Sequence, residues 1–75
     1  MQLGTRWPVG GEAPSRLEAP VIAAISAVEA ELLDVDTSQW RWTLTWLEGK
    51  PVVELDDGTT IRVSQGGIVT TTPPE

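Results

Sequence analysis

The sequence predicts an α+β domain: one amphipathic helix, about 20–33, packed on one face of a three- to four-stranded antiparallel β-meander, about 39–72. Two patterns predict it. Val21, Ile25, Val28 and Leu32 recur at helical spacing, and Trp40, Trp42, Leu44 and Trp46 alternate with Arg41, Thr43 and Thr45 at strand spacing. Turn residues then divide the remaining apolar positions into short segments. These segments are Val53 and Leu55, Ile61 and Val63, and Ile68.

The N-terminal segment is read first. Leu3, Thr5, Trp7 and Val9 alternate, which marks either a short edge strand or an extended arm anchored by Trp7. Pro8 has no N–H, so a strand here belongs at a sheet edge. Gly10-Gly11-Glu12-Ala13-Pro14 reads as a loop. The helix has two candidate starts. Ser15-Arg16-Leu17-Glu18 has capping-box spacing, but it places Pro20 inside the helix, where the ring clashes. Pro20 at the first helical position is the more natural arrangement, with one turn from Ser15 able to precede it. Alanines at 23, 24, 27 and 30 supply propensity. Asp34 to Ser38 ends the helix as a polar loop.

Loop parity then assigns the sheet faces. An even first loop, with four residues from Glu48 to Pro51 preferred, pairs Trp46 with Val53. A three-residue second loop, Asp56-Asp57-Gly58, pairs Val53 with Ile61 and needs a left-handed Gly58. A two-residue third loop, Gln65-Gly66, pairs Val63 with Ile68. These choices place Trp42, Leu44, Trp46, Val53, Leu55, Ile61, Val63 and Ile68 on one face. Arg41, Thr43, Thr45, Leu47, Val52, Glu54, Thr60 and Arg62 take the other. Residues 1–72 form one domain, and 73–75 are expected to fray, with Pro73-Pro74 unable to extend a ladder.

Composition narrows the function. The chain of 75 residues has no cysteine and no histidine. Disulfides, thiolate chemistry and the usual general base are therefore absent. Eleven carboxylates against five basic side chains give a net charge of −6, which disfavours direct binding to nucleic acid or anionic membranes. Tyr, Phe and Asn are missing and lysine occurs once, a bias found in high-GC bacteria and their phages. No signal peptide or membrane span is visible, so a cytoplasmic location is expected.

Few residues invite a chemical role. Asp34-Val35-Asp36-Thr37-Ser38 opens like a calcium loop, but Gln39 and Thr45 stand where glycine and glutamate are required. Asp56-Asp57 is explained by its turn. Neither glycine pair has phosphate-loop spacing, and no serine has a partner base. No enzyme, metal site or cofactor is expected. The expected function is a small protein-interaction module, an accessory or regulatory subunit or a homo-oligomer joined through strand edges. Candidate partner-binding residues are Trp7, Trp40, Arg41, Leu47, Val52 and Arg62. Trp7 is either an exposed anchor or a plug at the edge of the core. An alternative is an acidic phage- or bacteria-encoded inhibitor that mimics nucleic acid, using Glu29, Glu31, Asp34 and Asp36. A carboxylate metal-binding domain is a minor alternative.

Overall fold

A computed structural model describes residues 4–64 and 66–74. It contains one helix and five strands, in the order β1 (Thr5–Pro8), α1 (Ala19–Glu31), β2 (Arg41–Leu47), β3 (Lys50–Leu55), β4 (Thr60–Val63) and β5 (Val69–Thr72). The strands form one antiparallel sheet in the order β1-β2-β3-β4-β5. The α+β architecture is the expected one, with a strand count of five instead of three to four. The fifth strand is the N-terminal edge strand, since Thr5–Pro8 pairs with Leu44–Arg41. Thr70 to Thr72, the last residues of the expected domain, belong to β5. The expectations for Leu3, Gln65 and Glu75 fall outside the described residues.

The helix begins at Ala19 with Pro20 in its first turn, where the missing N–H has no intrahelical acceptor to lose. Ser15 starts only a separate turn, closed by Leu17 N–H to Pro14 C=O at 3.2 Å. Val21 and Ile25 are buried, and Val28 and Leu32 are half-buried on the same stripe. That stripe meets β4 and β5. Leu17, which lies before the helix, is as buried as Ile25.

Trp42, Leu44, Val53 and Ile61 are shut off from solvent in the middle of the sheet. Burial of each contributes about 1.5–3 kcal/mol against the chain entropy. They lie on the face that loop parity assigns. The register of the first hairpin is nevertheless shifted. Leu44 pairs with Val53 and Trp46 with Pro51, through a two-residue Glu48-Gly49 turn, not the four-residue loop. Both turn residues have positive φ, 53° at Glu48 and 80° at Gly49, as a type I′ hairpin requires. The shift is by two residues, so every side chain keeps its face. Closure at Leu47 and Lys50 makes the next pair, Trp46 and Pro51, a non-hydrogen-bonded one. The N–H that Pro51 lacks would have pointed away from β2, so that ladder loses nothing.

The second hairpin matches its expectation. Val53 faces Ile61, Gly58 has φ 105°, and Gly58 N–H donates to Leu55 C=O at 2.9 Å. Asp57 Oδ1 accepts the Thr59 N–H at 2.8 Å. The third hairpin repeats this design and overturns the expected two-residue loop. Ser64 N–H donates to Ile68 C=O at 2.9 Å, and Gly67 takes φ 81°. Three positions now lie between the paired Ser64 and Ile68, so Val63 faces Val69. Ile68 is 67% exposed and leaves the core face.

Candidate functional site

The six candidate partner-binding residues separate into three places. Trp7 lies in the core at 6% exposure. It stacks on Trp42 with ring centroids 6.5 Å apart and planes 20° apart. The plug alternative is the one realised, and Trp7 offers no exposed anchor. Its indole Nε1 is buried without a hydrogen-bond partner. Trp40 is half-buried against the same cluster. Its N–H donates to Thr37 C=O at 2.9 Å, and its own carbonyl accepts Val9 N–H at 3.3 Å. Arg41 is exposed at the opposite end of β2 from the first hairpin. Its backbone N–H donates to Asp56 Oδ2 at 3.0 Å.

Leu47, Val52 and Arg62 do come together. They line a shallow recess of about 120 Å³ on the outer side of the sheet, beside Lys50, Pro51 and Val63. A larger recess of about 290 Å³ opens on the inner side at the same end of the molecule. Leu17, Val21 and Trp46 form its apolar wall, and Arg16 and Lys50 are its cations. The two recesses share Lys50, Pro51 and Val63. The hairpin end is therefore one continuous saddle of mixed lining, in which Glu18 and Glu48 stand beside the three cations. Trp46 is 36% exposed and Leu47 59% exposed on it. Among the described residues the ion pair within 4 Å is Arg6–Asp56, at 3.6 Å. Arg16, Lys50 and Arg62 thus have no described carboxylate within that distance.

Arg16, Leu17, Trp46 and Lys50 were not singled out by sequence. Parity puts Trp46 on the inner face but cannot say that the helix packs elsewhere. Its exposure follows from the helix contacting β4 and β5, whereas Trp46 is on β2.

The carboxylates form no comparable centre. Among the described residues no three are grouped to hold a metal ion. Glu29 turns inward from the helix. Its Oε2 accepts from Trp42 Nε1 at 2.9 Å and from Gly10 N–H at 3.0 Å. Asp36 closes an Asx turn, accepting the Ser38 N–H at 3.1 Å. The Ser38 hydroxyl and then its N–H stabilise the carboxylate and lower its pKa below 3.8. No described helix is long and apolar enough to cross a membrane. Comparison with protein families, curated proteins and solved structures finds no match for this chain.

Proposed function

We propose that this chain is a small non-catalytic protein-interaction module, an accessory or regulatory subunit. Its binding surface is the hairpin end, and its partner presents an acidic segment with an apolar anchor. One observation carries the reading: an exposed indole and an exposed leucine lie among three cations, Arg16, Lys50 and Arg62, that outnumber the two carboxylates there, Glu18 and Glu48, and pair with no described carboxylate within 4 Å, in a chain of net charge −6. An apolar anchor would gain from contact with Trp46 and Leu47, since aromatic surface concentrates binding energy. Carboxylates beside the anchor would meet Arg16, Lys50 and Arg62 and set orientation. The missing histidine and cysteine support the non-catalytic part of the reading.

The test is an NMR titration with an eight-residue peptide of glutamates flanking one leucine, beside the same peptide with lysines for glutamates. The expected result is perturbation of the Trp46 indole, Lys50 and Arg62 by the acidic peptide alone, weakening with salt. A K50E/R62E double variant is expected to lose the response. No perturbation, or equal response to the lysine peptide, would overturn the reading.

The nucleic-acid mimic is a second reading, and charge segregation favours it. Arg6, Arg41, Lys50 and Arg62 occupy outward-facing strand positions, while Glu31, Asp34 and Asp36 are exposed at the helix end. The inward commitment of Glu29 removes one of its four proposed carboxylates.

A further inference from the structure

We propose that β5 is a self-pairing edge, through which two copies of this chain join antiparallel about a two-fold axis at Thr70 to make a ten-stranded sheet. The proposal goes beyond the hairpin-end reading and uses none of its residues.

The argument begins with the direction of backbone groups. Ser64 N–H donates to Ile68 C=O, so Ser64–Ile68 is a hydrogen-bonded pair, and alternation makes Arg62–Thr70 and Thr60–Thr72 hydrogen-bonded pairs too. The N–H and C=O groups of Val69 and Thr71 therefore point away from β4, to the free edge. The opposite edge differs. Val9 N–H donates to Trp40 C=O, and the same alternation sends Arg6 and Pro8 of β1 outward. Proline there removes a donor and arginine adds a charge, two devices that protect edges. From Ile68 to Thr72 every residue is β-branched and none is charged. One edge is guarded and the other is open.

The partner follows from register. Val69 and Thr71 both belong to the inner face, so pairing them across a dyad keeps the two inner faces continuous. A dyad at Thr70 sets Val69 against the partner's Thr71 and the reverse, giving two hydrogen-bonded pairs. A dyad at Val69 would set Thr71 against Gly67, which is in a turn at φ 81°. A dyad at Thr71 would set Val69 against Pro73, which has no donor. Only the Thr70 dyad uses every outward group. It also fills space. A recess of about 420 Å³ adjoins β5, with Val28, Leu32, Pro73 and Pro74 as its apolar lining and the Glu31 and Asp57 carboxylates among its polar lining. The partner's Val69, opposite Thr71 on that face, would enter it. No residue of β5 is charged, and the mutual repulsion of two chains at −6, with Glu31 and Asp57 beside the seam, is screened by ions. Salt therefore strengthens this association, the reverse of its effect at the hairpin end.

The test is sedimentation equilibrium of the full chain from micromolar to millimolar concentration, with amide exchange measured over the same range. The mass is expected to rise from 8.1 kDa towards twice that value, more readily in salt. Val69 and Thr71 amides should gain protection with concentration, while those of Thr70 and Thr72 are protected throughout. T70K sets like charges on the dyad from an exposed position, and T71P removes only an outward donor. Each is expected to weaken association about tenfold or more, with far-UV dichroism and the Trp42 indole resonance reporting the intact fold. A strict monomer at millimolar concentration overturns the proposal. So does association that leaves the Val69 and Thr71 amides unprotected, or that both variants retain.

Discussion

Replacing Glu29 by alanine should destabilise the fold more than any other carboxylate substitution on the helix. One oxygen of Glu29 accepts the buried indole N–H of Trp42 at 2.9 Å and the Gly10 N–H at 3.0 Å. Gly10 is exposed, so water replaces its bond and little is lost there. Trp42 is 0% exposed. Its N–H would be left without an acceptor in the core. A hydrogen bond to a charged group contributes about 1.5–3 kcal/mol net, and an orphaned buried donor costs a similar amount. We therefore expect E29A to lose about 2–3 kcal/mol. A change of 1 kcal/mol moves the melting temperature of a domain this small by about 4–8 °C, so the midpoint should fall by about 8–24 °C. Glu31 is exposed, and E31A should stay within about 0.5 kcal/mol of the parent. E29Q keeps an acceptor and should fall between the two. Urea and thermal unfolding followed by tryptophan fluorescence measure all three. If E29A proves as stable as E31A, the joint between helix, N-terminal loop and sheet is not the one described here.

Four further outcomes follow from the turns, the stacked indoles and the polar loop. Glu48 holds φ 53° in the first hairpin, so E48N should stabilise by about 0.5–1 kcal/mol in urea unfolding. At Gly58, φ is 105° and an added Cβ would meet only Pro74, at an ordinary 3.5 Å. G58A should therefore cost about 1–2 kcal/mol from backbone strain alone, seen as a lower urea midpoint. Trp7 carries an orphaned Nε1 whereas that of Trp42 is bonded, so W7F should cost at least about 1 kcal/mol less than W42F by the same assay. Asp36 has its pKa depressed below 3.8 by Ser38. Its contribution is present above that value and is lost as pH falls through the folded pKa. NMR titration should place its midpoint below 3.8, and S38A should raise it.

The sheet was legible where a side-chain period coincided with a glycine that had one role. Asp56-Asp57-Gly58 allowed only one loop length consistent with the faces of Val53 and Ile61, and that register is the observed one. Glu48-Gly49 was harder. A two-residue turn there holds glutamate at positive φ, which side chains disfavour, and by sequence the four-residue loop is preferred because Pro51 cannot donate the bond that closes a Gly49-Lys50 loop. The third hairpin failed on the pair Gly66-Gly67. Either glycine could have taken the left-handed position. The structure gives it to Gly67, which lengthens the loop by one residue and turns Ile68 outward. An error of one residue reverses a face, whereas the error of two in the first hairpin did not.

The candidate site was legible only in part, for a related reason. Leu47, Val52 and Arg62 share the outer face by strand alternation, and that alternation suffices to bring them together. Arg16 and Leu17 approach Trp46 through the path of the connection before the helix, which carries no period to read. By sequence Trp7 is open between a plug at the edge of the core and an exposed anchor, and Trp46 reads as core. Trp7 takes the plug position and Trp46 is more exposed than expected, because β1 supplies Trp7 directly beside Trp42. Once that stack closes the core at the β1 edge, the helix lies against β4 and β5, and Trp46 is the indole left at the open end. Its exposure and the burial of Trp7 thus have one cause, the pairing of Thr5–Pro8 with β2. A chain lacking that strand should uncover the inner side of Trp42 and cannot serve as a control for binding at Trp46.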